Sequence, residues 1–136
     1  MLKRAAVIFG AIFVVVGILG FVPAVAPPAP DGEGALLLGI FAVNGVHNLV
    51  HLISGVIALV VGMRSEAASR TYFRVFGVIY ALVAVVGLFA GSAMLLGMAH
   101  NMADAVLHVA IAAIALYLGF AHGPLRHAHE PPHHAA

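Results

Sequence analysis

The chain has 136 residues, of which 63% are hydrophobic and only 8% are charged, and its mean hydropathy is +1.11. A soluble domain of this size needs more charged side chains to remain in solution. The composition therefore indicates a single-domain integral membrane protein that contacts the lipid bilayer. The net charge of +1 argues against nucleic-acid binding. The chain has no Cys, which excludes disulfides and Cys-ligated zinc or iron–sulfur centres.

Four segments are long and apolar enough to cross a bilayer, which takes roughly 20 residues of helix. These are residues 5–22, 35–63, 75–99 and 101–121. The second is either one tilted helix or a short interfacial piece, residues 36–43, followed by a helix that Asn44 caps. The predicted fold class is therefore an all-α bundle of four transmembrane helices within residues 1–121.

Basic residues predict the orientation of this bundle. All Lys and Arg residues fall on one side of the predicted membrane, at positions 3, 4, 64, 70, 74 and 126. Asp31 and Glu33 fall on the other side, in a proline-rich loop. The positive-inside rule then places both termini in the cytoplasm, as in a multi-pass membrane protein. The alternative is a cleaved signal peptide ending at Ala26, which Pro27 disfavours.

The two halves of the chain resemble each other. Arg4 aligns with Arg74 at an offset of 70 residues, and Asn44 aligns with Asn101 at an offset of 57. This predicts two tandem helical hairpins in a parallel repeat, related by a pseudo-two-fold axis along the membrane normal.

Each half carries polar side chains inside a predicted span, where they are costly and usually functional. His47 and His51 lie one turn apart on the second helix, and Asp104 and His108 have the same spacing on the fourth. The repeat would bring His51 opposite His108 and His47 opposite Asp104. Three imidazoles and a carboxylate are a suitable set for zinc or copper. The sequence thus predicts a transition-metal site in the outer half of the bilayer, for sensing, storage or transfer.

The Asn side chains of the motif are predicted to hold the imidazole rings in orientation; they are Asn44, Asn48 and Asn101. Three alternatives stay open. The polar residues could form a structural or proton-handling network in a complex subunit or homodimer. They could bind a small polar ligand. Alternatively, b-type haem could bind between axial ligands His51 and His108.

Two further groups carry possible metal ligands. Met residues recur every four positions beside a His and predict a route for soft metals such as Cu(I), with core packing as the alternative: Met94, Met98, His100 and Met102. The His- and Pro-rich residues 122–136 predict a disordered cytoplasmic tail that binds metal weakly. Because no Ser-His-Asp arrangement or phosphate-binding loop is present, we expect no enzymatic activity.

Three blocks carry a resemblance to a known family. They are residues 43–52 (Val-Asn-Gly-Val-His-Asn-Leu-Val-His-Leu), residues 72–80 and residues 101–108. With these blocks, the chain resembles a bacterial, actinobacterial-type family of small four-span membrane proteins, a domain of unknown function with an Asn-x-x-His-Asn-x-x-His motif. Ala105 departs from the Asn expected in the second copy. The resemblance covers about residues 4–121 and implies the fold and a location in the bacterial inner (cytoplasmic) membrane, but no activity.

Overall fold

The fold is built from four long helices, seen in a computed structural model that describes residues 1–91 and 94–121. They are α1 (Leu2–Leu19), α2 (Gly45–Arg64), α3 (Glu66–Ala90) and α4 (Met102–Leu116), which continues as a π-helix (Tyr117–Ala121). Each helix, counting α4 with its π-helical end, is long and apolar enough to span a bilayer. The predicted four-span, all-α fold is confirmed, and the predicted tail lies outside the described residues.

The segment before α2 is a β-hairpin and not a helix. Strand β1 (Ala35–Leu37) pairs antiparallel with β2 (Phe41–Val43). Leu38 and Gly39 form the tight turn with φ of 55° and 73°, the left-handed region that favours glycine. The single helix expected over residues 35–63 is therefore wrong. The alternative holds, in which a separate short segment precedes a helix that Asn44 caps.

The third helix lies earlier in the chain than the predicted residues 75–99. It begins at Glu66, because the Ser65 side chain caps it by accepting a hydrogen bond from Ala68 N at 3.1 Å. It ends where Gly91 takes a φ of 66°. Arg74 lies inside this helix and donates from Nε to Gly119 O at 2.8 Å, so it satisfies a carbonyl of the π-helix. Long basic side chains can extend from a helix to the membrane surface, so the one-sided charge pattern survives this shift.

Two tandem helical hairpins form the bundle, with α1 packed on α2 and α3 packed on α4. Small residues bring each pair close together: a Cβ at Gly17 would lie 2.9 Å from Asn48 O, and one at Gly87 would lie 3.5 Å from the Ala105 Cβ. Gly17 and Gly87 are 70 residues apart, and Asn48 and Ala105 are 57 apart. The same offsets relate the two halves in sequence and in contacts, which supports the parallel repeat.

An aromatic core joins the two helical hairpins in the middle of the bundle. Phe13, Phe73, Phe76 and Tyr80 are buried there, and the Phe76 and Tyr80 rings stack with centroids 4.0 Å apart. Residues 20–44 and 94–101 cover the end of the bundle beyond this core, and the first turns of α2 and α4 carry the polar side chains to the same end.

Candidate metal centre

Three histidines converge between α2 and α4. His47, His51 and His108 are buried, and one ring nitrogen of each lies within 4.8 Å of the other two. The ring centroids are 4.6 Å apart for His47 and His51, 5.9 Å for His47 and His108, and 6.5 Å for His51 and His108. The one-turn spacing on α2 supplies two rings, and the repeat brings the third from α4. The expected approach of His51 and His108 is therefore observed.

Backbone carbonyls fix the orientation of His47. Its Nδ1 lies 2.8 Å from Ala99 O and 3.0 Å from Ala42 O, so Nδ1 carries the proton and donates to carbonyl oxygens. We infer from this tautomer that Nε2 keeps a free lone pair. Ala42 and Ala99 are 57 residues apart, so they are equivalent positions of the two halves.

His51 and His108 each have a ring nitrogen without a protein partner. Their Nδ1 atoms are buried and form no hydrogen bond with any residue in the described ranges; we call these two atoms the open nitrogens. The rings lie edge-on to Phe13 at 5.1 Å and to Tyr80 at 5.3 Å. A buried polar atom without a partner is costly, and such atoms are rare in native proteins. An ion or ligand that reached these two nitrogens would satisfy them.

Asp104 is not one of the three converging residues. Its Oδ2 accepts hydrogen bonds from Asn101 N and from Ala42 N, both at 3.0 Å. The first bond is the capping box of α4, in which the third helical residue reaches back to the cap. Asp104 occupies the position on α4 that His47 occupies on α2. The Asp104 side chain, however, accepts hydrogen bonds from backbone N–H groups. Asp104 lines the same cavity as His51 and His108.

The two cap residues link the halves of the molecule. Asn44 and Asn101 accept hydrogen bonds from His47 N and Asp104 N, both at 3.0 Å, as caps predict. Each also donates across the repeat: Asn44 Nδ2 to Gly97 O at 2.9 Å, and Asn101 Nδ2 to Ile40 O at 2.8 Å.

Asn48 is buried against Gly20, and its Oδ1 has no partner within the described part of the chain. Within that part, the hydrogen bonds that orient an imidazole of the cluster come from the carbonyls of Ala42 and Ala99, and the Asn side chains supply none.

The Met residues and His100 do not share one helix face. Met94 and Met98 lie in the segment before α4, Met102 is the first residue of α4, and Met94 and Met102 are about half exposed. His100 is buried, with its ring 6.2 Å from that of His108 and its Nδ1 3.0 Å from Gly91 O. Its Nε2 has no partner among the residues described. His100 therefore belongs to the surroundings of the histidine cluster, which the four-residue spacing did not indicate.

A repeated turn motif could have located this segment. Leu-Leu-Gly occurs at residues 37–39 and again at 95–97, each time shortly before a cap Asn. In the second copy Leu96 and Gly97 have φ of 53° and 80°, and Leu95 and Met98 form a β-bridge around them. Both copies are tight turns with residues in the left-handed region. The sequence alignment at a single offset missed them because the first copy has one more residue before its Asn.

The histidine geometry does not fit a haem held between His51 and His108. An axial pair would place the iron near the midpoint of the two rings and the macrocycle across it. The three centroid distances place the His47 ring about 4 Å from that midpoint and about 1 Å from the plane between the rings. The His47 ring therefore occupies the space of the macrocycle, and the haem alternative does not hold for this arrangement.

Comparison with known proteins places the chain in a family. Searches among curated proteins and among solved structures give no match. A family model described as "Domain of unknown function (DUF4383)" matches residues 3–121, which include the four helices except Leu2, both cap residues and the three histidines. The chain therefore belongs to the DUF4383 family.

Proposed function

We propose that this protein binds one transition-metal ion, zinc or copper, through His47, His51 and His108. The observation that carries the proposal is the convergence of three buried ring nitrogens within 4.8 Å of one another. Three such atoms always have a point between them that lies within about 2.8 Å of each, where an ion could sit. Each ring would move by less than about 1 Å to reach metal–nitrogen distances of about 2.0–2.1 Å.

The surroundings are suited to hold such an ion. The hydrogen bonds of His47 Nδ1 fix its tautomer and ring orientation, which is how metal-bound imidazoles are commonly supported. Three neutral imidazoles leave the charge of the ion uncompensated in a medium where charge is costly. The buried carboxylate of Asp104 beside the cluster would offset part of it while keeping its two backbone hydrogen bonds.

A three-histidine set leaves a fourth coordination position open, as in zinc sites that exchange a ligand. An ion held in this way can be released, which suits sensing, storage or transfer. A cavity of about 190 Å³ at the same end of the bundle offers a route; Asp31, Glu33, Met94 and His100 are among its lining residues. By the positive-inside rule this end is external, which would place the site in the outer half of a bacterial cytoplasmic membrane.

A structural network is the second candidate, and one observation favours it. Both backbone polar groups of Ala42 are bonded to side chains, because its N–H donates to Asp104 and its carbonyl accepts from His47. In this network, His47 and Asp104 serve to hold strand β2 in place through hydrogen bonds to its backbone. It leaves the open nitrogens of His51 and His108 without a role, whereas a bound ion gives these two rings one.

A metal titration of the full-length chain tests the proposal. Gln would replace the tail histidines, so that only the bundle can bind; they are His122, His127, His129, His133 and His134. We expect one zinc or copper ion per chain by competition with a chelator. His51→Ala and His108→Ala should each weaken binding by more than about 100-fold, since loss of a ligand should cost at least as much as loss of a supporting contact.

The matched control is His100→Gln, which changes a buried histidine outside the convergent set and should alter affinity by less than about tenfold. Absence of stoichiometric binding in the parent, or equal affinity in all variants, would contradict the metal proposal and leave the structural network.

A further inference from the structure

An apolar cavity of about 330 Å³ lies between α1, α4 and the β-hairpin, and the proposed metal site does not account for it. Ile12 and Val16 of α1 form one wall, and Leu107 and Ile114 of α4 form the other. His51 and His108 line its buried end. Pockets of this kind, with apolar walls and a few converging polar groups, are typical of small-molecule sites.

The rim of this cavity faces lipid. Ile12 and Ile114 are each 55% exposed and Leu38 is 63% exposed, although all three are apolar. They lie on helices that span the bilayer, or on the hairpin beside them. A ligand would therefore reach the cavity sideways, from the acyl chains, through the opening between α1 and α4.

The buried end selects the head group of such a ligand. His51 and His108 are 9% and 5% exposed and both line the cavity, so imidazole rings lie at its buried end. Neutral imidazoles can donate to or accept from an oxygen atom. A carboxylate or phosphate head would lie near the negative charge of Asp104, which is among the lining residues, and would have to shed its water. The site thus favours a carbonyl or hydroxyl oxygen.

We propose that this cavity binds a neutral single-chain lipophile that carries an oxygen head group. A volume of 330 Å³ holds about ten non-hydrogen atoms, at roughly 30 Å³ for an atom the size of water. The head and the first carbons of the tail fit inside, and the rest of the tail extends into the bilayer. Prenyl-type quinones and long-chain alcohols share this chemistry. The proposal does not depend on the metal, because imidazole nitrogens or an ion bound to them could both contact the oxygen.

A tryptophan reporter tests the proposal, since the chain contains no Trp. Ile114→Trp places the fluorophore at the rim of the cavity. Val109→Trp places it on α4 at an exposed position that is not among the cavity-lining residues, as a matched control for quenching from the bulk lipid. The full-length variants would be reconstituted in phosphatidylcholine vesicles treated with a chelator, and titrated with decyl-benzoquinone, brominated dodecanol or brominated dodecanoate.

We expect saturable quenching at Ile114→Trp by the quinone or the alcohol, at least threefold stronger than at Val109→Trp, and little excess from ionised dodecanoate. The probe whose quenching saturates at the lower concentration identifies the preferred head group. Adding Leu107→Phe, which reduces the cavity at a position already 42% exposed, should remove the excess, and His51→Ala should weaken it. Equal quenching of the two reporters by all three probes, or an excess unaffected by Leu107→Phe, would overturn the proposal. Because the vesicles are metal-free, neither result depends on the metal titration.

Discussion

His47 uses its two ring nitrogens for different purposes. Nδ1 holds the backbone of both halves through Ala42 and Ala99, and the opposite nitrogen is left for the cluster. His51 and His108 have neighbouring aromatic rings and no such backbone contact in the described chain. One histidine is therefore pre-oriented, and the other two can adjust to an ion by small ring movements.

Gly87 determines whether His100 can lie beside this cluster. A Cβ at Gly87 would lie 2.6 Å from His100 Nε2, so Gly87→Ala must displace the His100 ring. We expect a loss of about 1–3 kcal/mol in the free energy of unfolding, as for overpacking of a filled core. Unfolding in mixed micelles would measure it.

Gly45→Ala is the control, because nothing lies within 4 Å of a Cβ at that position. It should be neutral or stabilise by up to about 1 kcal/mol, since Ala is the better helix former. Equal effects of the two substitutions would show that His100 is not confined by α3.

At the scale of elements, each site helix begins at an Asn that performs two tasks. The side-chain oxygen caps its own helix, and the side-chain amide holds the turn of the other half. These four hydrogen bonds position the first turns of α2 and α4, and with them His47 and Asp104.

Substitutions of Asn44 separate these tasks. Asn44→Ser keeps a capping oxygen and removes the amide that donates to Gly97 O, whereas Asn44→Ala removes both. We expect Asn44→Ala to cost about 1–3 kcal/mol and Asn44→Ser about half of that, from typical values for caps and hydrogen bonds. Thermal unfolding in detergent would measure the difference. Identical melting temperatures for the two variants would mean that the amide bond across the repeat contributes nothing.

The caps and the meeting of His51 with His108 could be predicted because both follow from local spacing and the repeat. Asn is a strong cap, and side chains four residues apart share a helix face. The hairpin over residues 35–43 and the true limits of α3 depend on competing local signals: apolar composition favoured a helix, while Gly39, Gly91 and Ser65 ended or started one. The hydrogen bond from Ala42 N to Asp104 also escaped prediction, because that donor comes from a hairpin that composition does not indicate.

At the scale of the whole molecule, the parallel repeat places the site at one end of the bundle. Lys3 and Arg4 near the start of α1, Arg64 at the end of α2 and Arg74 near the start of α3 lie at the other end. Asp31 and Glu33 lie in the segment that covers the site end. We propose that this separation of charge gives the protein a single orientation in the membrane.

Reporter fusions would test that orientation. We expect a reporter inserted at residue 30 to be external and one at the C-terminus to be cytoplasmic, because the basic residues resist translocation. Replacing Lys3 and Arg4 by Gln should weaken this preference, and replacing Asp31 and Glu33 should change it little, since acidic residues contribute little to the rule. An external C-terminus in the parent protein would reverse the sidedness of the proposed metal site.

The most direct test of the central proposal is X-ray absorption at the zinc edge of the loaded, full-length protein whose tail histidines have been replaced by Gln. The structure leads us to expect three imidazole nitrogens at about 2.0–2.1 Å and one further oxygen or nitrogen donor. A spectrum with sulfur scattering, or with fewer than three imidazoles around the ion, would contradict a site built from His47, His51 and His108.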